Sequence, residues 1–196
     1  GSCYGLSARL QGSQAEAVRV PAADMNAVPI PDGVSMDQAL MMTDALATAW
    51  YGARMADIRP GSSVAVIGLG PIGLMAVDSA FVMGAHVVYA IDPIAERRAL
   101  AEAAGAIALH PDQALDHIKE ATKGHKLDCA VEVVGSDATV DFALRLVRPR
   151  GTVSVIGVQQ SRRFPFPLER AFAAGLTFRT GTCSVPEELP ALFPLV

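Results

Sequence analysis

Cysteine is scarce: Cys3, Cys129 and Cys183 are the only three in 196 residues, far apart and without a C-x-x-C pair. That excludes a disulfide framework and a zinc knuckle, and it makes Cys129 a small core residue of a reduced protein. Basic charge is also short, since 16 Lys and Arg stand against 20 Asp and Glu, a formal charge of −4. Nucleic-acid binding normally demands a basic face, so no nucleic acid partner is expected. No apolar run reaches the roughly 18 residues of a membrane span, because Asp44, Asp78 and His86 interrupt the most apolar stretches. No basic-then-apolar signal segment opens the sequence. What is abundant is apolar residues, 51% of the chain, enough for a sizeable core and too many for a disordered polypeptide. The expectation is a cytoplasmic globular protein without a membrane partner.

Along the chain the pattern changes once. Residues 16–20 alternate like a short strand that Pro21 stops. Ser35 reads as a helix N-cap with Gln38 three residues on, and helical periodicity with one break runs from Met36 to about Ala56, ended by Pro60-Gly61. From Ser63 onward short Val/Ile/Ala strands alternate with amphipathic helices. Strands are expected at 64–67, 87–91, 107–109, 129–134, 152–156 and 176–180, and helices at about 71–83, 94–104, 112–123, 137–147 and 166–174. Nearly unbroken apolar strands imply burial on both faces, hence a parallel sheet with helices above and below. The fold class is α/β, a doubly wound parallel sheet.

The sharpest motif is Val64-Ala65-Val66-Ile67-Gly68-Leu69-Gly70-Pro71-Ile72-Gly73. A lone G-x-G-x-x-G is weak, but here a strand leads into Gly68 and a helix leaves from Gly73, which is the Rossmann dinucleotide arrangement. Gly68 permits the tight turn, Gly70 lets a pyrophosphate approach the backbone, and Gly73 lets the helix press on the sheet. Pro71 is tolerated in the first helical turn, and with Ile72 it opens a helix whose free N–H groups and positive dipole end face the phosphates. Asp92 follows the second strand at close to the spacing of a ribose-binding acid. Its carboxylate suits the two ribose hydroxyls of NAD and would repel the 2′-phosphate of NADP; the alternative role is capping the helix that begins near Ile94. Arg97 either lies along the ribose edge or is a solvated helix charge.

These residues resemble the zinc-dependent medium-chain alcohol dehydrogenases over nearly the whole chain. Residues 14–26, 43–53 (Thr-Asp-Ala-Leu-Ala-Thr-Ala-Trp-Tyr-Gly-Ala) and 59–73, then Glu132-Val133-Val134-Gly135 and 146–153 (Leu-Val-Arg-Pro-Arg-Gly-Thr-Val), are similar to successive family segments. The resemblance implies a remnant of a GroES-like β domain at 1–48 and a Rossmann domain at 49–196. It places Asp44 on the third protein ligand of a catalytic zinc, Thr48 beside the nicotinamide as the catalytic side chain, and Val133 and Ile156 in the nicotinamide pocket. It implies hydride transfer between an alcohol or carbonyl compound and NAD, with zinc as Lewis acid, in a homodimer or homotetramer joined through residues 176–180. Two departures, Thr48-Ala49 for Thr-Gly and Pro149-Arg150-Gly151 for Pro-Gly-Gly, remove no functional atom.

The family's Cys and His zinc ligands and its proton-relay hydroxyl belong to a domain ahead of this sequence. Cys3 has no histidine near it, and His86, His110, His117 and His125 are expected to be surface or structural residues. One ligand does not hold zinc, so the chain alone is expected to bind NAD without turnover. Two alternatives stand beside this reading: a non-catalytic NAD-binding module, and a zinc-free quinone reductase of the same superfamily.

Overall fold

The structure is a computed structural model that describes residues 4–5, 7–159 and 161–196; Cys3 lies outside the described residues. Among them six parallel strands form one sheet: β1 (Ser63–Ile67), β2 (Val87–Ile91), β3 (Ile107–Leu109), β4 (Leu127–Glu132), β5 (Val147–Val155) and β6 (Thr177–Thr180). Their order is β3-β2-β1-β4-β5-β6. The order reverses between β1 and β4, which opens a crevice at the strands' carboxyl ends, the place where open α/β sheets take their ligands.

Side chains of successive strand residues alternate between two cores. Val64 and Val66 face one, with Ala76, Val77 and Ala80 of α4 (Pro71–Val82) and Ala101 of α5 (Ala95–Ala103). Ala65 and Ile67 face the other, with Ile118 of α6 (Pro111–Ala121) and Val140 and Leu144 of α7 (Asp137–Leu146). Helices therefore cover both faces, and strand interiors that are apolar throughout follow from this double burial.

Ahead of the sheet lie α1 (Ala23–Asn26), α2 (Met36–Met42) and α3 (Ala45–Met55). The expected capping box opens α2: Gln38 N donates to Ser35 Oγ at 3.2 Å, and Ser35 N donates to Gln38 Oε1 at 2.9 Å. The expected strand at 16–20 is not formed; those residues are irregular and exposed. Alternation by itself does not hold a strand, whose N–H and C=O groups need a neighbour to pair with, and no described segment pairs with this one.

Past the sheet, α8 (Leu168–Ala174) precedes β6, and α9 (Val185–Leu192) follows it. Sequence patterning gave no sign of α9 because Pro190 sits inside it, a residue that normally breaks helices. It forms here through tertiary packing: Leu189 and Leu192 join Met42 and Ala47 in a third core against α3. The buried carboxylate of Glu188 also pairs with Arg54 of α3, and that pairing raises the Arg54 pKa.

The departures from the family pattern have different costs. The Ala49 methyl is fully buried in the first core. Arg150 sits at φ 63°, a left-handed conformation that glycine adopts freely and other residues rarely do.

Cys129 is 2% exposed within β4, and burial pushes its thiol up to about 12. The unfolded chain releases this proton near 9.0, so between those two values the unfolded state binds fewer protons and stability falls as pH rises. The expected slope is about 1.4 kcal/mol per pH unit. Urea melts from pH 9 upward should show that decline in the wild type and a smaller one in Cys129→Ala; equal slopes would assign the decline to other groups.

Candidate functional site

The turn between β1 and α4 is built around three glycines with distinct surroundings. Gly68 lies at φ 91°, a conformation that suits glycine, and a Cβ there would meet Val134 Cγ2 at 2.6 Å. A Cβ on Gly73 would fall 1.8 Å from the Gly68 carbonyl oxygen, so the first turn of α4 presses directly on the backbone of the turn that follows β1. At Gly70 a Cβ would meet nothing within 4 Å: the space in front of that backbone is open. Gly70 is the N-cap of α4 with no side-chain cap, and Pro71 opens the helix. The N–H groups of Ile72 and Gly73 thus lack intrahelical partners and remain available to an anion.

Gly73→Ala is expected to destabilise the fold by at least about 3 kcal/mol, the upper end for overpacking, because a backbone carbonyl rather than a flexible side chain must yield. Thermal denaturation checks this, and a near-neutral result would mean that the glycine turn relaxes at little cost.

Asp92 sits beside this turn at the end of β2 and is 3% exposed. Its Oδ2 accepts from Leu69 N at 2.8 Å, and its Oδ1 accepts from Ile94 N at 2.8 Å. The carboxylate thus fixes the approach to α5 through Ile94 N, without capping the helix, and is tied to the glycine turn through Leu69 N. Each oxygen keeps a lone pair for a further donor. Arg97 Nη1 lies 3.6 Å from Asp92 Oδ2, close enough for charge attraction, with its side chain 45% exposed. Arg98, which sequence reasoning passed over, donates from Nη1 to the backbone oxygens of Asp92 and Pro93 at 2.8 and 2.9 Å.

Val133 and Ile156 follow directly on β4 and β5 and are half-buried at the crevice. Ile156 packs on α3, where a Cβ on Gly52 would meet its Cδ1 at 2.6 Å. Thr48 stands one helical turn before Gly52, and its Oγ1 donates to Asp44 Oδ1 at 3.2 Å. The structure thus brings Asp44, Thr48 and Gly52 onto one stretch of α3 leading to Ile156, while Asp92 and Arg97 lie with the glycine turn.

Asp44 is exposed, and among the described residues no three His, Cys, Asp or Glu come together as a metal site. Cys183 is near enough to feel Asp44, yet burial first, then the charges of Glu188 and Asp44, push its thiol up to about 11. The described residues by themselves do not fit a zinc site. Two of the histidines have local roles: His110 Nδ1 accepts from Asp112 N at 3.3 Å, and His117 packs edge-on against Tyr89.

Comparison with known proteins decides the family. Residues 71–196 match the zinc-binding dehydrogenase family model. The chain is 44% identical over 187 residues to "Probable zinc-binding alcohol dehydrogenase Rv1895" of Mycobacterium tuberculosis, covering 95% of this chain and 48% of that protein. The chain belongs to the zinc-type alcohol dehydrogenase family. The structure of the alcohol dehydrogenase TADH from Thermus sp. ATN1 superposes with a TM-score of 0.90 at 41% identity, over 95% of this chain and 55% of that one. A further family member, "NADP-dependent isopropanol dehydrogenase" of Thermoanaerobacter brockii, is 34% identical over 135 residues, 67% of this chain and 38% of that protein. The chain spans about half the length, or less, of the relatives it matches.

Glu132, read in the sequence only as part of a family segment of this zinc-type dehydrogenase chain, has a role that the sequence did not assign. Glu132 ends β4 fully buried. Its Oε1 accepts from Val134 N at 2.9 Å, Gly135 N at 2.8 Å and Thr139 Oγ1 at 2.7 Å. Its backbone oxygen accepts from Ile156 N and Gly157 N at 3.0 and 3.1 Å. Glu132 therefore fixes the backbone on either side of both Val133 and Ile156, while its Oε2 is buried without a partner. The available signal was an acid closing an otherwise apolar strand, a residue type almost never buried without a reason.

Proposed function

We propose that this chain is the NAD(H)-binding part of an alcohol dehydrogenase that moves a hydride between an alcohol or carbonyl compound and NAD. The open backbone at Gly70, beside a carboxylate already fixed by Leu69 N, carries the reading. The uncapped start of α4 would bind the pyrophosphate through its free N–H groups and dipole. Asp92 would accept from the ribose hydroxyls, with Arg97 along the same edge. Thr48, Val133 and Ile156 would flank the nicotinamide ring, and α3 and Glu132 hold those three in place. Bound nicotinamide supplies the hydride acceptor.

Asp92 supports NAD over NADP, because a carboxylate there repels a 2′-phosphate, whatever the cofactor of more distant family members. Fluorescence titration of the chain with NADH and NADPH tests this: at least tenfold tighter NADH binding is expected, and equal or tighter NADPH binding would reject it.

Asp44 is assigned as one zinc ligand. A site of about three protein ligands would draw the rest from residues other than those described. In the full-length protein, Asp44→Ala is expected to abolish bound zinc by metal analysis while NADH affinity stays within about twofold. Zinc content equal to the wild type would remove the assignment. β6 lies at the edge of the sheet, where its unpaired backbone suits pairing with a second copy in a homodimer or homotetramer.

A further inference from the structure

At the amino ends of β4 and β5, opposite the crevice, lies a cavity of about 390 Å³. It is lined by Lys119 and Asp116 of α6, Lys126 of the following loop, Arg145 and Leu146 at the end of α7, and Arg170 of α8. Four cations and one acid around a single opening are unusual in a protein of formal charge −4. Among the described residues Lys119, Lys126 and Arg145 have no ion-pair partner. Arg170 Nη1 reaches only to 3.9 Å from Asp141 Oδ1, and its Nη2 is buried with no acceptor.

Helix polarity accounts for part of this cluster. Lys119 and Arg145 sit in the last turns of α6 and α7, where a cation is favoured. It does not account for the other two. Arg170 lies in the first turn of α8, where an acid is favoured, and Lys126 belongs to no helix. The loop holding Lys126 is fixed, since Lys126 N donates to Thr122 Oγ1 at 3.0 Å and Gly124 N to Lys119 O at 2.7 Å. The Lys126 ammonium is held below the ordinary lysine range by burial, then by the facing charges of Arg170 and Arg145. The cations repel one another across a cavity whose apolar floor, Leu146, supplies no counter-charge.

We infer that this cavity is a second anion site, separate from the dinucleotide crevice, that takes a small soluble phosphate or diphosphate group through Lys126, Arg145 and Arg170. Guanidinium forks suit phosphate oxygens, and Arg145 and Arg170 bring two of them to one opening. It would also screen the mutual repulsion.

The probe is inorganic pyrophosphate, titrated calorimetrically at low ionic strength with NADH present in excess to occupy the crevice. Saturable one-to-one binding is expected, weakened at least tenfold in Lys126→Asn/Arg145→Gln and in Arg170→Gln, and strengthened in Asp116→Asn. Asparagine is chosen at 126 because the backbone there is at φ 66°, which Asn tolerates. NADH affinity of the charge-neutralised variants should match the wild type, since none of the three residues touches the glycine turn. Without pyrophosphate the double variant should melt no lower than the wild type, because repulsion has been relieved. Pyrophosphate binding that is absent, that is unchanged in both neutralised variants, or that is lost only on adding NADH would overturn the inference. The variants decide the matter even if NADH itself fails to bind, so failure of the NAD reading and failure of this one are distinguishable.

Discussion

Glu132→Ala is expected to lower the unfolding free energy by about 3–5 kcal/mol. Truncation removes the acceptor of Val134 N and Gly135 N at once, while Thr139 Oγ1 keeps Ser136 O as an acceptor, and each buried donor left unsatisfied costs about 1–3 kcal/mol. Release of the unpartnered Oε2 from burial offsets part of that sum, which is why the expected total lies below the upper limit. Urea unfolding provides the measurement, and a loss under about 1 kcal/mol would show that water replaces the carboxylate freely. Glu132→Gln keeps one acceptor oxygen for the same turn and should recover more than half the loss. If the turn also sets the ring wall at Val133, the residual folded Glu132→Gln protein will bind NADH more weakly than ADP-ribose, relative to the wild type.

The second large effect is expected at Asp92, the residue proposed to hold the ribose. Asp92→Asn retains an acceptor for Leu69 N or Ile94 N but removes the negative charge. NADH affinity should fall about tenfold or more, equivalent to about 1.4 kcal/mol, as expected for loss of hydrogen bonds to a charged acceptor. NADPH affinity should rise or hold, so the ratio between the two cofactors shifts by more than either affinity alone. Fluorescence titrations at one fixed ionic strength measure the ratio, since salt screens the phosphate contribution. An unchanged ratio would leave Asp92 only its structural duty at the start of α5.

How much of this was legible depended on how local the physics is. The strands at 87–91 and 107–109 were read with the bounds observed, because unbroken Val/Ile/Ala runs carry their burial with them. The glycine turn was also readable, since the positive φ of Gly68 and the contact of Gly73 with the Gly68 carbonyl are local constraints; the packing of Gly68 on Val134 is not. The segment at 16–20 misled because alternation signals a strand only when a neighbour is present to pair with it. β5 begins five residues earlier than expected, at Val147, because Arg148-Pro149-Arg150 bulges out of the ladder while Val147 pairs with Leu127. Helix α9 was hidden by Pro190, and what stabilises it lies more than 130 residues away, in Arg54 and Met42. The side-chain partners of Glu132 lie within seven residues of it, but its tie to Ile156 and Gly157 crosses from β4 to the end of β5. The approach of Cys183 to Asp44 and the cation-lined cavity are likewise products of tertiary folding, which no short window of sequence holds.

The tight fit of Ile156 against Gly52 has a mechanical corollary. A methyl group at position 52 would meet Ile156 Cδ1 at 2.6 Å, so any larger residue there would first displace the Ile156 side chain. The width of the slot beside Ile156 is therefore set in part by the absence of a side chain on α3.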